Sequence, residues 1–75
     1  MKGIKYVSEW TCTKNGKTVI EYHVEYHSGK TYDFKNKTLP TAVLDFILNK
    51  PSKTTYVTNE VGPYAGTTTK YTCYQ

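Results

Sequence analysis

The fold is decided by two similar turn sequences, Thr13-Lys14-Asn15-Gly16-Lys17 and Tyr26-His27-Ser28-Gly29-Lys30. Each lies between stretches in which apolar and polar residues alternate, which is the pattern of a β-strand with one buried face. The sequence therefore predicts a three-stranded antiparallel meander in the first half of the chain.

The length of each turn sets which residues share a face of the sheet. A two-residue loop and a three-residue loop ending in a left-handed glycine differ by one position in register. A three-residue loop at Gly16 pairs Trp10 with Ile20, whereas a two-residue loop pairs Trp10 with Glu21. Because apolar pairs stabilise a sheet, the sequence favours three-residue loops at both Gly16 and Gly29, with both glycines at positive φ.

This register predicts one apolar and one polar face. The apolar face carries Ile4, Tyr6, Trp10, Cys12, Ile20, Tyr22, Val24, Tyr26, Tyr32 and Phe34. The polar face carries Lys5, Val7, Glu9, Lys17, Glu21, His23, Glu25, Asp33 and Lys35. Trp10 and Tyr22 are predicted to lie in the core.

A helix within residues 39–50 is predicted to cover the apolar face. Apolar residues recur there with a spacing near 3.6, at Leu39, Val43, Phe46 and Ile47. Thr38 is in position to cap the start of the helix, and Pro51 ends it near Asn49.

Residues 53–60 and 67–74 are rich in Thr, Tyr and Val, which predicts two further strands. The predicted order is β-β-β-α-β-β, an α+β domain spanning residues 1–75 with one helix across a mainly antiparallel sheet. The last strand is Thr-rich, alternates cleanly and is a candidate edge strand, so an edge-to-edge homodimer is also allowed.

The formal net charge of +4 raises the question of nucleic-acid binding. A three-stranded sheet followed by a helix resembles, in architecture alone, small DNA-binding domains that press a sheet into the major groove. However, all ten basic residues are lysine, so the chain lacks the bidentate guanidinium that contacts guanine and phosphate. The predicted polar face carries three lysines against four carboxylates, a sum of −1. The sequence therefore predicts weak or absent DNA binding.

No catalytic residue, metal site or cofactor is predicted, and we expect a protein that is not an enzyme. His23 and Glu25 point the same way on a strand, but a metal site needs three or four converging ligands. Asp33 can orient His23, yet the predicted register puts Ser8 on the opposite face, away from this pair. The interpretation favoured for these side chains is a cross-strand ladder, which pairs Lys5 with Glu25, His23 with Asp33 and Glu21 with Lys35.

Two cysteines, Cys12 and Cys73, leave two possibilities open. A bridge between them would staple a secreted domain, whereas reduced thiols fit a cytoplasmic protein. Met1-Lys2-Gly3 does not open a signal peptide, and the apolar stretches are too short to span a membrane. We therefore expect a cytoplasmic protein with no membrane partner.

Aromatic residues are in surplus. Eight Tyr, one Trp and two Phe exceed what one short helix can cover, so some are expected to face solvent, where Tyr is favoured in interfaces. Tyr64 is the best-presented candidate, since it lies in the loop sequence Gly62-Pro63-Tyr64-Ala65-Gly66. The residues predicted to bind a partner are Tyr64, Glu21, His23, Glu25, Asp33 and Lys35.

The function expected from these features is that of a small protein-binding module. In size and style the chain resembles the small accessory and inhibitor proteins that bacteriophages and other mobile elements encode, which implies action on a host protein. A nucleic-acid-binding module using Lys and stacked Tyr is the alternative. A secreted, disulfide-stapled domain is the third possibility.

Overall fold

The structure, a computed structural model, describes residues 3–35 and 38–75. In chain order the elements are β1 (Ile4–Lys14), β2 (Lys17–Tyr26), β3 (Thr31–Lys35), α1 (Thr41–Asn49), β4 (Ser52–Asn59) and β5 (Thr67–Tyr74). The strands form one antiparallel sheet in the order β3-β2-β1-β5-β4. The predicted α+β class and β-β-β-α-β-β order are confirmed.

The turn between β2 and β3 has the predicted three-residue loop. The Gly29 N–H donates to the Tyr26 carbonyl at 2.9 Å, and the Tyr26 N–H donates to the Lys30 carbonyl at 2.9 Å. Gly29 has a φ of 94°, the left-handed conformation that this loop requires. As predicted, Val24 therefore lies opposite Tyr32.

The turn between β1 and β2 differs from the prediction. Lys14 pairs directly with Lys17, so Asn15 and Gly16 alone form the loop. Their φ values of 52° and 77° are both positive, as a type I′ turn requires. The twist of this turn matches that of the flanking strands, and Asn-Gly is its preferred sequence. Turn geometry therefore outweighed the apolar matching across the strands.

The shorter loop turns most of β1 over. Val7 and Glu9 face the helix, whereas Trp10 lies opposite Glu21 on the other side of the sheet. A bulge between Ile4 and Tyr6 shifts the register back by one position, so that Ile4 pairs with Tyr26 as predicted. The predicted apolar-face positions of Tyr6, Trp10 and Cys12, the predicted core position of Trp10, and the predicted polar-face positions of Val7 and Glu9 are therefore wrong.

The core lies between α1 and one end of the sheet. Its buried members are Val7, Val24, Leu39 and Val43. Partly buried side chains packed around them are Ile4, Tyr22, Tyr26, Phe34, Phe46, Ile47 and Tyr74. The predicted helix stripe is thus confirmed, as is the packing of Tyr22 and Phe46 against the core.

The helix begins two residues later than its predicted cap implies. Pro40 occupies the N-cap position, and its carbonyl accepts from the N–H groups of Val43 at 3.0 Å and Leu44 at 3.1 Å. None of the side chains that the structure describes caps this end, so the predicted role of Thr38 is wrong. Proline at this position has no N–H to leave unpaired at the helix start, which accounts for a start without a polar cap.

The two edge strands of the sheet are β3 and β4. The last strand, β5, lies between β1 and β4, so the prediction that it forms an edge is wrong. The pairing of β5 with β1 runs from Val7–Tyr74 to Lys14–Thr67, which makes the long first strand the centre of the sheet.

The two cysteines are too far apart to form a bridge. Cys12 lies opposite Thr69, whereas Cys73 lies opposite Ser8, four positions along β1. Four positions in a strand span about 13 Å, well beyond the distance that a disulfide can join. Both thiols are free, so the stapled alternative does not hold within one chain.

Both turn glycines are expected to resist substitution. Gly16→Val and Gly29→Val should each lower the free energy of unfolding by about 1 kcal/mol or more, because both positions have positive φ. An added Cβ would meet nothing within 4 Å at either site, so the cost comes from the backbone alone. Gly3→Val is the control, since its Cβ also meets nothing within 4 Å and it precedes β1, outside both turns. Urea unfolding of all three variants tests this, and equal losses would contradict it.

Alkaline pH is expected to destabilise the fold through Tyr22. Burial, and the hydrogen bond that its hydroxyl donates to Glu9 at 2.5 Å, raise the pKa of Tyr22 to about 12 from its ordinary value of 10.0. Burial also raises the pKa of Tyr6, Tyr71 and Tyr74.

Because the folded state holds the Tyr22 proton more tightly, its stabilising effect is complete below pH 10 and is lost as the pH rises towards 12. The free energy of unfolding should therefore fall less steeply between those pH values in Tyr22→Phe than in the unsubstituted protein. Urea unfolding across this pH range measures both slopes, and identical slopes would show that Tyr22 does not contribute.

Candidate binding site

The side of the sheet opposite α1, here called the open face, has an aromatic centre. Trp10 on β1 packs against its cross-strand neighbour Tyr71 on β5, with ring centroids 4.5 Å apart and planes tilted by 57°. Tyr6 lies near His23 at a centroid distance of 5.9 Å. Trp10 remains 47% exposed despite these contacts. We call Tyr6, Trp10 and Tyr71 the aromatic patch.

The turn at Asn15-Gly16 is the local cause of this patch. Alternate residues of a strand share a face, so the two-residue loop puts Tyr6 and Trp10 on the open face together. Sequence reasoning missed both residues as candidate binding residues because it placed them in the core. The signal that would have found them is the Asn-Gly pair, which strongly favours a two-residue hairpin.

Three cross-strand polar pairs border the aromatic patch. Their heavy atoms are 3.6 Å apart in Lys5–Glu25, 2.7 Å in His23–Asp33 and 3.6 Å in Lys35–Glu21. These are the pairs predicted from the sequence, and we call them the charged ladder. Exposed pairs of this kind add little to stability, so exchanging one partner for a charge on another molecule costs little.

The aromatic patch and part of the charged ladder line a shallow depression of about 720 Å³. Its walls include Trp10 and Tyr71 on one side and Asp33 and Lys35 on the other, with Ser8 and His23 between them. The depression is therefore apolar on one side and charged on the other, and it can take a side chain that has both characters.

The charge of the open face differs from the prediction. Five lysines (Lys5, Lys14, Lys17, Lys35 and Lys53) and three carboxylates (Glu21, Glu25 and Asp33) point to this side, a net +2 with His23 neutral. The predicted −1 was wrong because Glu9 lies on the helix side and Lys14 and Lys53 lie on the open side. The charged ladder itself keeps three carboxylates against two lysines, so the positive surplus lies away from the aromatic patch.

Ser8, His23 and Asp33 form one cross-strand row, which corrects the predicted separation of Ser8 from the other two. Asp33 holds the Nδ1 atom of His23 at 2.7 Å, and Ser8 lines the depression together with Tyr71. A serine nucleophile also needs N–H groups that are free to bind the developing oxyanion. Around Ser8 the backbone of β1 is paired with β2 on one side and with β5 on the other, so its N–H groups are already engaged. We therefore interpret this row as the polar floor of the depression.

Tyr64 lies apart from the other predicted site residues. It is in the loop between β4 and β5, is 68% exposed, and its carbonyl accepts the Thr67 N–H at 3.2 Å and the Thr67 hydroxyl at 2.6 Å. Thr67 is four positions along β5 from Tyr71, or about 13 Å. The structure thus brings together Glu21, His23, Glu25, Asp33 and Lys35 and leaves Tyr64 outside the site.

Comparison of the chain with protein-family models, with curated proteins and with solved structures gave no match. Within residues 3–35 and 38–75, no group of three His, Cys, Asp or Glu side chains is arranged to hold a metal ion. The same part of the chain contains no helix with the length and apolar content needed to cross a membrane. The site must therefore be interpreted from its own chemistry.

Proposed function

We propose that this chain is a non-enzymatic binding module that docks another protein on its open face. The observation that carries the proposal is Trp10, which lies half-exposed against Tyr71 at the centre of a solvent-facing sheet. Trp and Tyr dominate the binding energy of protein interfaces because they bury a large rigid area at little entropic cost. Surrounding polar groups then exclude water and set specificity.

The partner proposed is a protein surface that presents an apolar side chain to Trp10 and a basic group to the charged ladder. Three carboxylates, Glu21, Glu25 and Asp33, lie along that side of the aromatic patch. They attract a lysine or arginine and repel a phosphate. A charge reversal such as Glu21→Lys is therefore expected to weaken the binding of such a partner.

Action as an inhibitor is the finer part of the proposal. A module of this kind acts by occupying a functional surface of its target, and the resemblance in size to accessory proteins of bacteriophages and mobile elements favours a host protein in the cytoplasm as that target. The free thiols are compatible with that compartment.

A second candidate function is binding of single-stranded nucleic acid. Lys14, Lys17 and Lys53 share the open face with the aromatic patch, and bases stack on exposed Trp and Tyr while lysines contact phosphates. The carboxylates beside the patch make this the weaker candidate.

Affinity capture from a nuclease-treated lysate of the source cells tests the proposal. Immobilised protein should retain a partner protein that Trp10→Ala loses and Leu48→Ala keeps. Leu48 is the matched control because it is 80% exposed but lies on α1, away from the open face. Retention by Trp10→Ala, or loss of the captured material on nuclease treatment, would contradict a protein partner bound through the aromatic patch.

A further inference from the structure

The free edge of β4 carries unpaired backbone groups in a defined pattern. The Gly66 N–H donates to the Asn59 carbonyl at 2.9 Å and the Gln75 N–H donates to the Pro51 carbonyl at 3.2 Å. The backbone N–H and C=O groups of the odd-numbered residues of β4 therefore point towards β5. In an antiparallel ladder both backbone groups of a residue point the same way and alternate along the strand. The groups of Ser52, Thr54, Tyr56 and Thr58 therefore point away from the sheet.

This edge has few of the features by which sheet edges are usually protected. Its pairing with β5 runs without a bulge from Ser52–Tyr74 to Asn59–Thr67. The strand sequence SKTTYVTN contains no proline and a single charge, Lys53. Charges, proline, bulges and short length are what prevent an edge from pairing with another strand. By contrast β3, at the opposite edge, has only 5 residues and carries Asp33 and Lys35.

We infer that β4 pairs antiparallel with β4 of a second copy of this chain, across a two-fold axis that passes between the two Thr55 residues. This register places Ser52 opposite Thr58 and Thr54 opposite Tyr56 of the second copy. All four residues whose backbone groups point outwards then gain partners in both copies. Two five-stranded sheets become one continuous sheet.

The side chains of β4 are compatible with a second copy as the occupant. Thr55 meets Thr55 on the open side, which is a favourable cross-strand pair. Lys53 lies opposite Val57 of the second copy, so its aliphatic stem covers a side chain that is 54% exposed in one chain alone. No two like charges face each other in this register.

The pairing has a consequence for binding. Odd-numbered residues of β4 meet odd-numbered residues of the second copy, so the two open faces lie on the same side of the continuous sheet. Two aromatic patches are then presented in one direction, which allows a partner with two equivalent sites to be held bivalently. This inference goes beyond the proposed function, and its test uses no partner.

Sedimentation equilibrium of the purified chain over a concentration series is the test. We expect the mass to rise from 8.6 kDa towards twice that value as the concentration increases from micromolar to millimolar. A mass that stays at one chain throughout would overturn the inference, and would leave the edge to a strand of another protein.

Two single substitutions at Val57 test the register. Val57→Lys brings like charges together at two symmetric positions opposite Lys53, and should raise the dissociation constant roughly tenfold. Val57→Glu makes opposite charges meet at the same positions and should not raise it. The double variant Lys53→Glu with Val57→Glu lowers the net positive charge of the chain but places carboxylates opposite each other across the interface. It should therefore weaken the dimer, and this result separates local charge pairing from the overall repulsion between two positive chains. Equal dissociation constants for all variants would overturn the register.

Discussion

Val7→Asp is expected to abolish cooperative folding, whereas Val19→Asp should leave the protein folded. Val7 is 0% exposed and packs between the sheet and α1, where a carboxylate would have no charged partner. The cost of several kcal/mol is comparable to the whole stability of a small domain. Val19 lies in the same strand pair but on the open face, beside Trp10, and is 39% exposed.

The matched pair separates the two registers. Both variants make the same chemical change, so the difference between them reports only the face on which each valine lies. Far-ultraviolet circular dichroism with urea unfolding measures it. A folded Val7→Asp protein would support the three-residue loop at Gly16 and would move Trp10 off the open face.

Trp10→Ala is expected to weaken the binding of the captured partner by about 2 kcal/mol or more, which is roughly a 30-fold rise in the dissociation constant. The reason is that a central Trp in an interface is a typical hot spot. The fold should persist, since Trp10 lies outside the core. Leu48→Ala should change the dissociation constant less than twofold. Calorimetric titration measures both, and equal affinities for the two variants would place the interface elsewhere.

The salt dependence of binding distinguishes the two classes of partner. Protein docking through the aromatic patch should weaken only moderately as salt is raised, whereas nucleic-acid binding falls linearly and steeply on a log–log plot. We expect weak or absent binding to duplex and single-stranded DNA. Sub-micromolar DNA binding at physiological salt with a steep slope would favour the nucleic-acid alternative.

The parts of the fold that the sequence predicted correctly depend on local signals that agree with one another. At the second turn, the three-residue loop at Gly29 and the apolar matching of Val24 with Tyr32 favour the same register. The stripe that includes Val43 and Phe46 sets which side of α1 packs on the sheet. The pairs His23–Asp33 and Lys35–Glu21 follow from the second turn. Lys5–Glu25 was predicted from the wrong register at the first turn, and it forms because the bulge near Ile4 shifts the pairing back by one position.

The errors come from places where signals conflict or where the contacts are distant in sequence. At the first turn, Asn15-Gly16 favours two residues whereas the aromatic residues favour three, and backbone geometry prevails. The prediction assumed that a large apolar side chain such as Trp10 must be buried. The exposure of Trp10 on the open face breaks that assumption, which is why the candidate site was only half predicted. The insertion of β5 beside β1 depends on long-range pairing that no local pattern encodes.

Acrylamide quenching of the single tryptophan shows whether Trp10 lies on the open face or under the helix, because Trp10 is the only indole in the chain. With the side chain half-exposed on the open face, acrylamide should quench the folded protein readily, with a quenching constant below that in denaturant. A blue-shifted emission with quenching almost abolished in the folded state would show that Trp10 is buried under the helix. That result would contradict both the register and the binding face built on it.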